Sequence, residues 1–337
     1  MGKKKKNLNG DSSDGRGLYY QPSASPVFFS SGCTLLDCVL GGGWATDRII
    51  NVVGDKSTGK TLIAIEACAN FFNKYQDNCT IYYNEAEAAF DTDYARNLGL
   101  PVEDIDFVEP CFTVENLFTD LHTKIEKAEK DKQYLYILDS LDALSDKAEL
   151  EREITDGSYG ANKAKKMSEL FRKLIQPLSN KKFTVMIISQ IRDKMNVSFG
   201  NKHNRSGGKA LDFYSSQILY LAHIAQLKKQ IKGIQRVTGV EIKAQLRKSK
   251  VGLPFRECQF PIIFMYGIDD LKTSVEWLKE VKKLEDELQV ETLNELEKEL
   301  VNLDDKEFDE KMNEVASKVI KVWNEIEEMF KPKKRKY

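Results

Sequence analysis

The 337-residue sequence is poor in histidine (3), tryptophan (3) and proline (8), and none of its 6 cysteines stands in a C-x-x-C pair. Cys33, Cys38, Cys68, Cys79, Cys111 and Cys258 are scattered, several of them inside apolar runs, and read as buried, reduced thiols. His122, His203 and His223 are equally dispersed, so a zinc cluster is not expected. No run of about 18 apolar residues occurs, which excludes a spanning helix of the usual kind and argues against a membrane partner. The start, MGKKKKNLNGDSSDGRG, is basic but lacks a following apolar segment, as a secretory signal would require. The expected location is the cytoplasm. An excess of either charge is also missing: 51 Lys and Arg stand against 52 Asp and Glu. Any nucleic-acid binding must therefore come from local clusters.

The charge is unevenly placed. Residues 284–330 hold 16 acids against 5 lysines, while KPKKRKY at 331–337 and Lys3 to Lys6 are basic. The tails read as solubilising segments or, preferably, as non-specific attractors of DNA; KPKKRK also matches the pattern of a nuclear-localisation signal. Residues 1–27 form a polar, flexible arm. Over 28–269, apolar runs RIINVV (48–53), TIYYN (80–84), IDFVE (105–109), YLYILD (134–139) and FTVMIIS (183–189) alternate with helical patterns at 59–72, 90–98, 113–130 and 161–178. Short runs apolar throughout, separated by helices, predict an α/β fold with a mainly parallel sheet covered on both faces. QILYLA, GVEIKAQL and CQFPIIFMY have shorter connections and predict an antiparallel extension. From 270 to 337, apolar residues at spacings of three and four among acids predict a separate helical module with a basic tip.

GDKSTGKT, comprising Gly54, Asp55, Lys56, Ser57, Thr58, Gly59, Lys60 and Thr61, fits the phosphate-loop pattern between a strand and a helix. Backbone N–H groups and the helix N-terminus favour phosphate; Lys60 can reach the β and γ phosphates, and the Thr61 hydroxyl can ligate Mg²⁺. Asp139 ends the apolar strand YLYILD, where a carboxylate faces the ligand crevice and can hold Mg²⁺ through water. Glu85 and Glu87 follow another strand end; one of them could activate water, and an acid-rich helix start accounts for them equally well.

Further stretches extend the pattern: SSGCTLLDCVLGGGW, AEAAFDTDYARNLGL, LDSLDALSDKAELEREITDGSYG and SQIRDKMNVSFGNKHNRSGGKALDFY. Together with the loop, they make residues 29–265 resemble the RecA family of homologous recombinases, phage-encoded members included. The resemblance implies a RecA-type phosphate-loop ATPase core that uses ATP and Mg²⁺, binds single-stranded and homologous double-stranded DNA, and self-associates into a helical filament. A single-strand-binding protein is a further candidate partner, and a nucleoid-associated place is implied, in the host cytoplasm for a phage-encoded protein. By this resemblance Glu87 activates water, Asp91 and Tyr94 contact adenine, and Gln190 senses the γ-phosphate. Lys248 and Lys250 in RKSK would reach the ATP of a neighbouring subunit, and the absence of acids over 242–255 suits that role.

Two loops would touch DNA: EREITDGSYGANKAKK, with Tyr159 and Lys165 and with Arg172 on the following helical pattern, and Ile191 to Leu211. The second carries Arg192, Lys194, Lys202, Arg205 and Lys209 against Asp193 alone, with Phe199 as a wedge and Gly207 and Gly208 offering backbone amides. A loop of about 20 residues within a domain is uncommon unless it functions. The expected activity is DNA-dependent ATP hydrolysis coupled to homologous pairing and strand exchange in recombination and repair. The alternatives are a hexameric helicase on the same fold and a non-hydrolysing accessory subunit. The acidic module is expected to compete with DNA for the basic loops.

Overall fold

The computed structural model describes residues 25–87, 90–150, 160–193, 203–205 and 208–334. In chain order the elements are β1 (Phe28–Phe29), α1 (Thr34–Leu40), β2 (Trp44–Ala45), β3 (Ile49–Gly54), α2 (Lys60–Tyr75), β4 (Cys79–Glu85), α3 (Thr92–Asn97), β5 (Ile105–Phe107), α4 (Val114–Lys127), β6 (Gln133–Asp139), α5 (Lys147–Leu150) and α6 (Gly160–Asn180). There follow β7 (Phe183–Asp193), β8 (His203–Arg205), α7 (Gly208–Tyr214), β9 (Gln217–Ile231), β10 (Ile234–Ser249), β11 (Glu257–Ile263), β12 (Gly267–Ile268), α8 (Asp270–Glu280), α9 (Leu284–Leu288), α10 (Leu293–Leu300) and α11 (Asp305–Met329).

The uniformly apolar runs are strands with both faces covered. Along β6, Leu135 and Ile137 belong to one buried cluster with α2, whereas Tyr134, Tyr136 and Leu138 belong to a second with α4 and α6. The two-residue period of a strand thus sorts one sequence into two cores. The main sheet runs β12-β11-β10-β9-β3-β7-β6-β4-β5, with β8 paired to β7. The block β9-β3-β7-β6-β4-β5 is parallel throughout. β9 to β12 form the antiparallel extension. This is the mainly parallel α/β sheet expected, flanked by helices.

Several elements depart from the sequence reading. β7 continues past Ser189 to Asp193, and Ile191–Asp193 pair antiparallel with His203–Arg205. Gly208–Leu211 open α7. The expected loop over Ile191–Leu211 is thus a strand, a short return strand and a helix start at its described positions, because the edge groups of β7 find a ladder partner in β8. The C-terminal helices also pack inward. Leu278, Leu284, Leu288, Leu296, Leu300, Val315, Val319 and Val322 lie in the same buried cluster as Leu35 and Leu36 of α1 and Ile63 of α2. An Arg256–Glu327 bidentate pair, 2.8 and 2.6 Å, ties the end of α11 to the approach to β11.

β9 pairs with β3 only over Gln217–Leu221, and β10 pairs with β11 only over Gly239–Gln245. Beyond these limits the two strands form a hairpin that stands away from the sheet, exposing Lys228, Lys229, Lys232 and Arg236 along with Ile231 and Ile234.

Candidate nucleotide site

β3 delivers Gly54 to the edge of the sheet, and the chain folds back so tightly that a Cβ on Gly54 would lie 2.4 Å from Thr58 Oγ1. Thr58 Oγ1 donates to the Asp55 carbonyl at 2.8 Å. Gly59 closes the loop at φ +79°, a left-handed conformation that suits glycine, and a Cβ there would meet Ile262 Cδ1 at 2.4 Å. α2 starts at Lys60, so its unpaired N–H groups and the positive end of its dipole face the loop.

Lys56 to Leu62, Glu87, Asp139 and Gln190 line one cleft of about 340 Å³. Lys60 Nζ donates to the Asp55 carbonyl at 2.6 Å. Burial holds the Lys60 ammonium below its usual pKa, against the opposing pull of Asp139, Glu87, Asp55 and Asp142. Thr61 Oγ1 donates to Asp139 Oδ2 at 2.7 Å, and the Tyr83 hydroxyl donates to the same oxygen at 3.1 Å. Burial raises the Asp139 pKa; these two hydrogen bonds pull it down, and Glu87 and Glu85 push it up again.

Glu87 is contacted from two sides. Ser140 Oγ donates to Glu87 Oε1, and Gln190 Nε2 donates to the same oxygen at 2.8 Å. Gln190 N donates in turn to Asp142 Oδ2 at 2.7 Å. Ser140 and Asp142 were absent from the sequence reading. Their signal was the place of SLDA (140–143) directly after the strand ending in Asp139, at the crevice edge.

The residues present fit a magnesium nucleotide. A loop crowded at Gly54 and left-handed at Gly59 is joined to a lysine among four carboxylates, and a buried aspartate shares a hydrogen bond with a hydroxyl. A divalent cation would offset the clustered negative charge. Lys60 and the loop amides would hold the phosphates, and Thr61 with Asp139 the metal.

Other sequence candidates lie elsewhere. Asp91 caps α3, accepting from Tyr94 N at 2.9 Å, and the partly buried Tyr94 packs on the first core cluster with its hydroxyl toward the Met265 main chain. Neither lines the cleft. Lys248 Nζ donates to the carbonyls of Asp212 and Phe213, and Lys250 Nζ to those of Phe213 and Tyr214, so both cations cap the C-terminal end of α7. Lys165 and Arg172 are exposed seven residues apart, two turns along α6 on one face. Lys163 instead donates to the Leu141 and Leu144 carbonyls, and Lys166 pairs with Glu115. Arg192 lies on β7, Arg205 on β8, and Gly208 and Lys209 begin α7. Tyr159, Lys194, Phe199, Lys202 and Gly207 lie outside the described residues.

Strand, glycine loop, helix and acidic strand end define a phosphate-loop α/β protein. The family described as the RecA N-terminal domain matches residues 21–269. The chain belongs to the RecA family. It is 35% identical to the RecA protein of Prochlorococcus marinus (strain NATL1A) over 242 residues, 72% of this chain and 61% of that protein. To the RecA protein of Mesomycoplasma hyopneumoniae (strain 7448) it is 34% identical over 250 residues, 74% of this chain and 70% of the relative. For the RecA protein of Mycoplasma mobile the identity is 32% over 256 residues, 75% of this chain and 73% of the relative. The chain spans about three fifths of the length of the Prochlorococcus relatives.

Proposed function

We propose that this chain is an ATP-dependent DNA recombinase that assembles on single-stranded DNA and catalyses homologous pairing and strand exchange in recombination and repair. The observation that carries this reading is the contact between Glu87 and Gln190: the candidate base touches the residue from which β7 runs on toward the basic segment at 191–211. A nucleotide site and a DNA-binding segment joined through one side chain suit a protein whose grip on DNA depends on its nucleotide.

In this reading Lys60, Thr61 and Asp139 hold Mg²⁺ and ATP, which supply the free energy that makes DNA binding reversible. Glu87 orients water and takes its proton at the carboxylate, aided by the Ser140 hydroxyl that fixes one oxygen. Asp91 and Tyr94 bind the base. Lys248 and Lys250 act on the nucleotide of a neighbouring subunit in the filament, leaving the α7 carbonyls to do so. Lys165 and Arg172, with Arg192, Arg205, Lys209 and the intervening residues, bind DNA phosphates. The boundaries at 27/28 and 269/270 mark a division of roles, the acidic helices after 269 acting on DNA access while sharing the core's buried cluster, and most of the expected arm, residues 1–24, lies outside the described residues; the protein works in the cytoplasm on the nucleoid.

The test is ATP hydrolysis with and without single-stranded DNA over a range of protein concentration. Stimulation that rises cooperatively with concentration is expected, since the lysines would come from a second subunit. Hydrolysis indifferent to DNA would favour another motor on this fold, and nucleotide binding without hydrolysis an accessory subunit.

A further inference from the structure

Asp142 lies on the turn Leu141–Ala143, immediately after the candidate metal-binding strand end at Asp139. The ladder between β6 and β7 stops at Leu138 opposite Ile187, because β6 ends and the chain turns away at Ser140. On its other side β7 keeps its β3 partner as far as Gln190, with Gly54 of the phosphate loop opposite. The Gln190 N–H would be left without a strand acceptor, and the Asp142 carboxylate supplies one at 2.7 Å.

Both hydrogen bonds of Gln190 go to carboxylates, and they differ in exposure. Its main chain donates to the half-buried Asp142, while its side chain meets Glu87 at 2.8 Å at an exposed position. Water competes more with the exposed bond than with the shielded one, so the side chain changes partner before the main chain does. The same turn also fixes the other half of the contact, because Ser140 donates to Glu87. A pivot of this form, fixed at the backbone and free at the side chain, passes a side-chain change on to the segment that follows.

We propose that Asp142 is a positioning residue that anchors the main chain of Gln190, so that nucleotide-dependent rearrangement of its side chain shifts Ile191–Asp193 and thereby changes the affinity for DNA. The proposal rests on the functional reading above and adds the element that couples its two sites.

The experiment measures the affinity of the full chain for a labelled single-stranded oligonucleotide with ADP and with a non-hydrolysable ATP analogue. Allosteric couplings commonly amount to roughly 5- to 150-fold. The Asp142→Ala variant is expected to lose most of the wild-type ratio between the two states. Asp142→Asn, which keeps an oxygen acceptor for the Gln190 N–H, is expected to retain it, a rescue that a purely electrostatic or folding role would not produce. An unchanged ratio in Asp142→Ala overturns the proposal and leaves the recombinase reading standing; a wild-type ratio near one overturns both. Amide exchange at Gln190 in the unmodified protein is an independent check, since fast exchange in either nucleotide state would show that the anchor is not there.

Discussion

In the parallel half of the sheet, β3, β4 and β6 finish at one edge, which β7 crosses at Gln190, so that Gly54, Glu85, Asp139 and Gln190 lie there side by side, Gly54 opposite Gln190 and Glu85 opposite Asp139. In the antiparallel half, successive ends point in opposite directions, and its candidate cations, Lys248 and Lys250, end against the carbonyls of α7 instead of in the cleft. Parallel strands converge their carboxyl ends on one crevice without further design. An antiparallel extension has no such edge, and its contribution to a nucleotide site depends on what it is brought against. This contrast explains why Lys60, Thr61, Glu87, Asp139 and Gln190 meet in one cleft of the single chain while Lys248 and Lys250 do not.

Substitutions can test the contrast. The largest effect is expected at the converging edge: Glu87→Gln should slow ATP hydrolysis by about 100- to 10,000-fold, the usual range for loss of a general base, while nucleotide binding persists. Filaments of this variant on DNA should last longer, as electron microscopy would show; normal turnover would mean that another carboxylate is the base. A smaller effect concerns the helices attached to the antiparallel half. Leu296 is fully buried in the cluster shared with α1 and α2, so Leu296→Ala should cost about 2–5 kcal/mol in denaturant unfolding. The loss should appear in one cooperative transition; a separate transition for α8–α11 would restore an independent module. The smallest effect belongs to the exposed acids. Asp309→Asn with Glu310→Gln should raise affinity for single-stranded DNA a few-fold at low salt, in line with roughly 1 kcal/mol at most per surface charge, and not at high salt. Removing 284–337 would be a poorer test, because it would also take Leu284, Leu288 and Val319 out of the core.

Much of the candidate cleft was legible beforehand because local sequence specifies it. A strand, a crowded glycine loop and a helix follow one another within a dozen residues, and Asp139 was proposed from its place at the end of an apolar run, where it lines the same cleft. Glu87 stood level with Glu85 on sequence physics; in the fold Glu87 lines the cleft and accepts from Ser140 and Gln190. Asp142 was missed because its importance depends on where β6 stops pairing with β7, which no local pattern encodes. Lys163 and Lys166, which flank Lys165 in the segment expected to touch DNA, turn inward to carbonyls and to Glu115. The strand character of Ile191–Asp193 was hidden for a similar reason, since polar residues form a strand there only because β8 lies alongside.

The sequence by itself determined the alternation of the main strands and helices, the phosphate loop and the two-sided burial of the central strands, because glycine conformation and apolar period are short-range properties. Tertiary structure alone decided which carboxylate meets Gln190, which lysines face solvent, and that the acidic helices share the core of the sheet. These depend on contacts between residues as far apart as Glu87 and Gln190 or Arg256 and Glu327, and such pairings are chosen by packing of the whole chain.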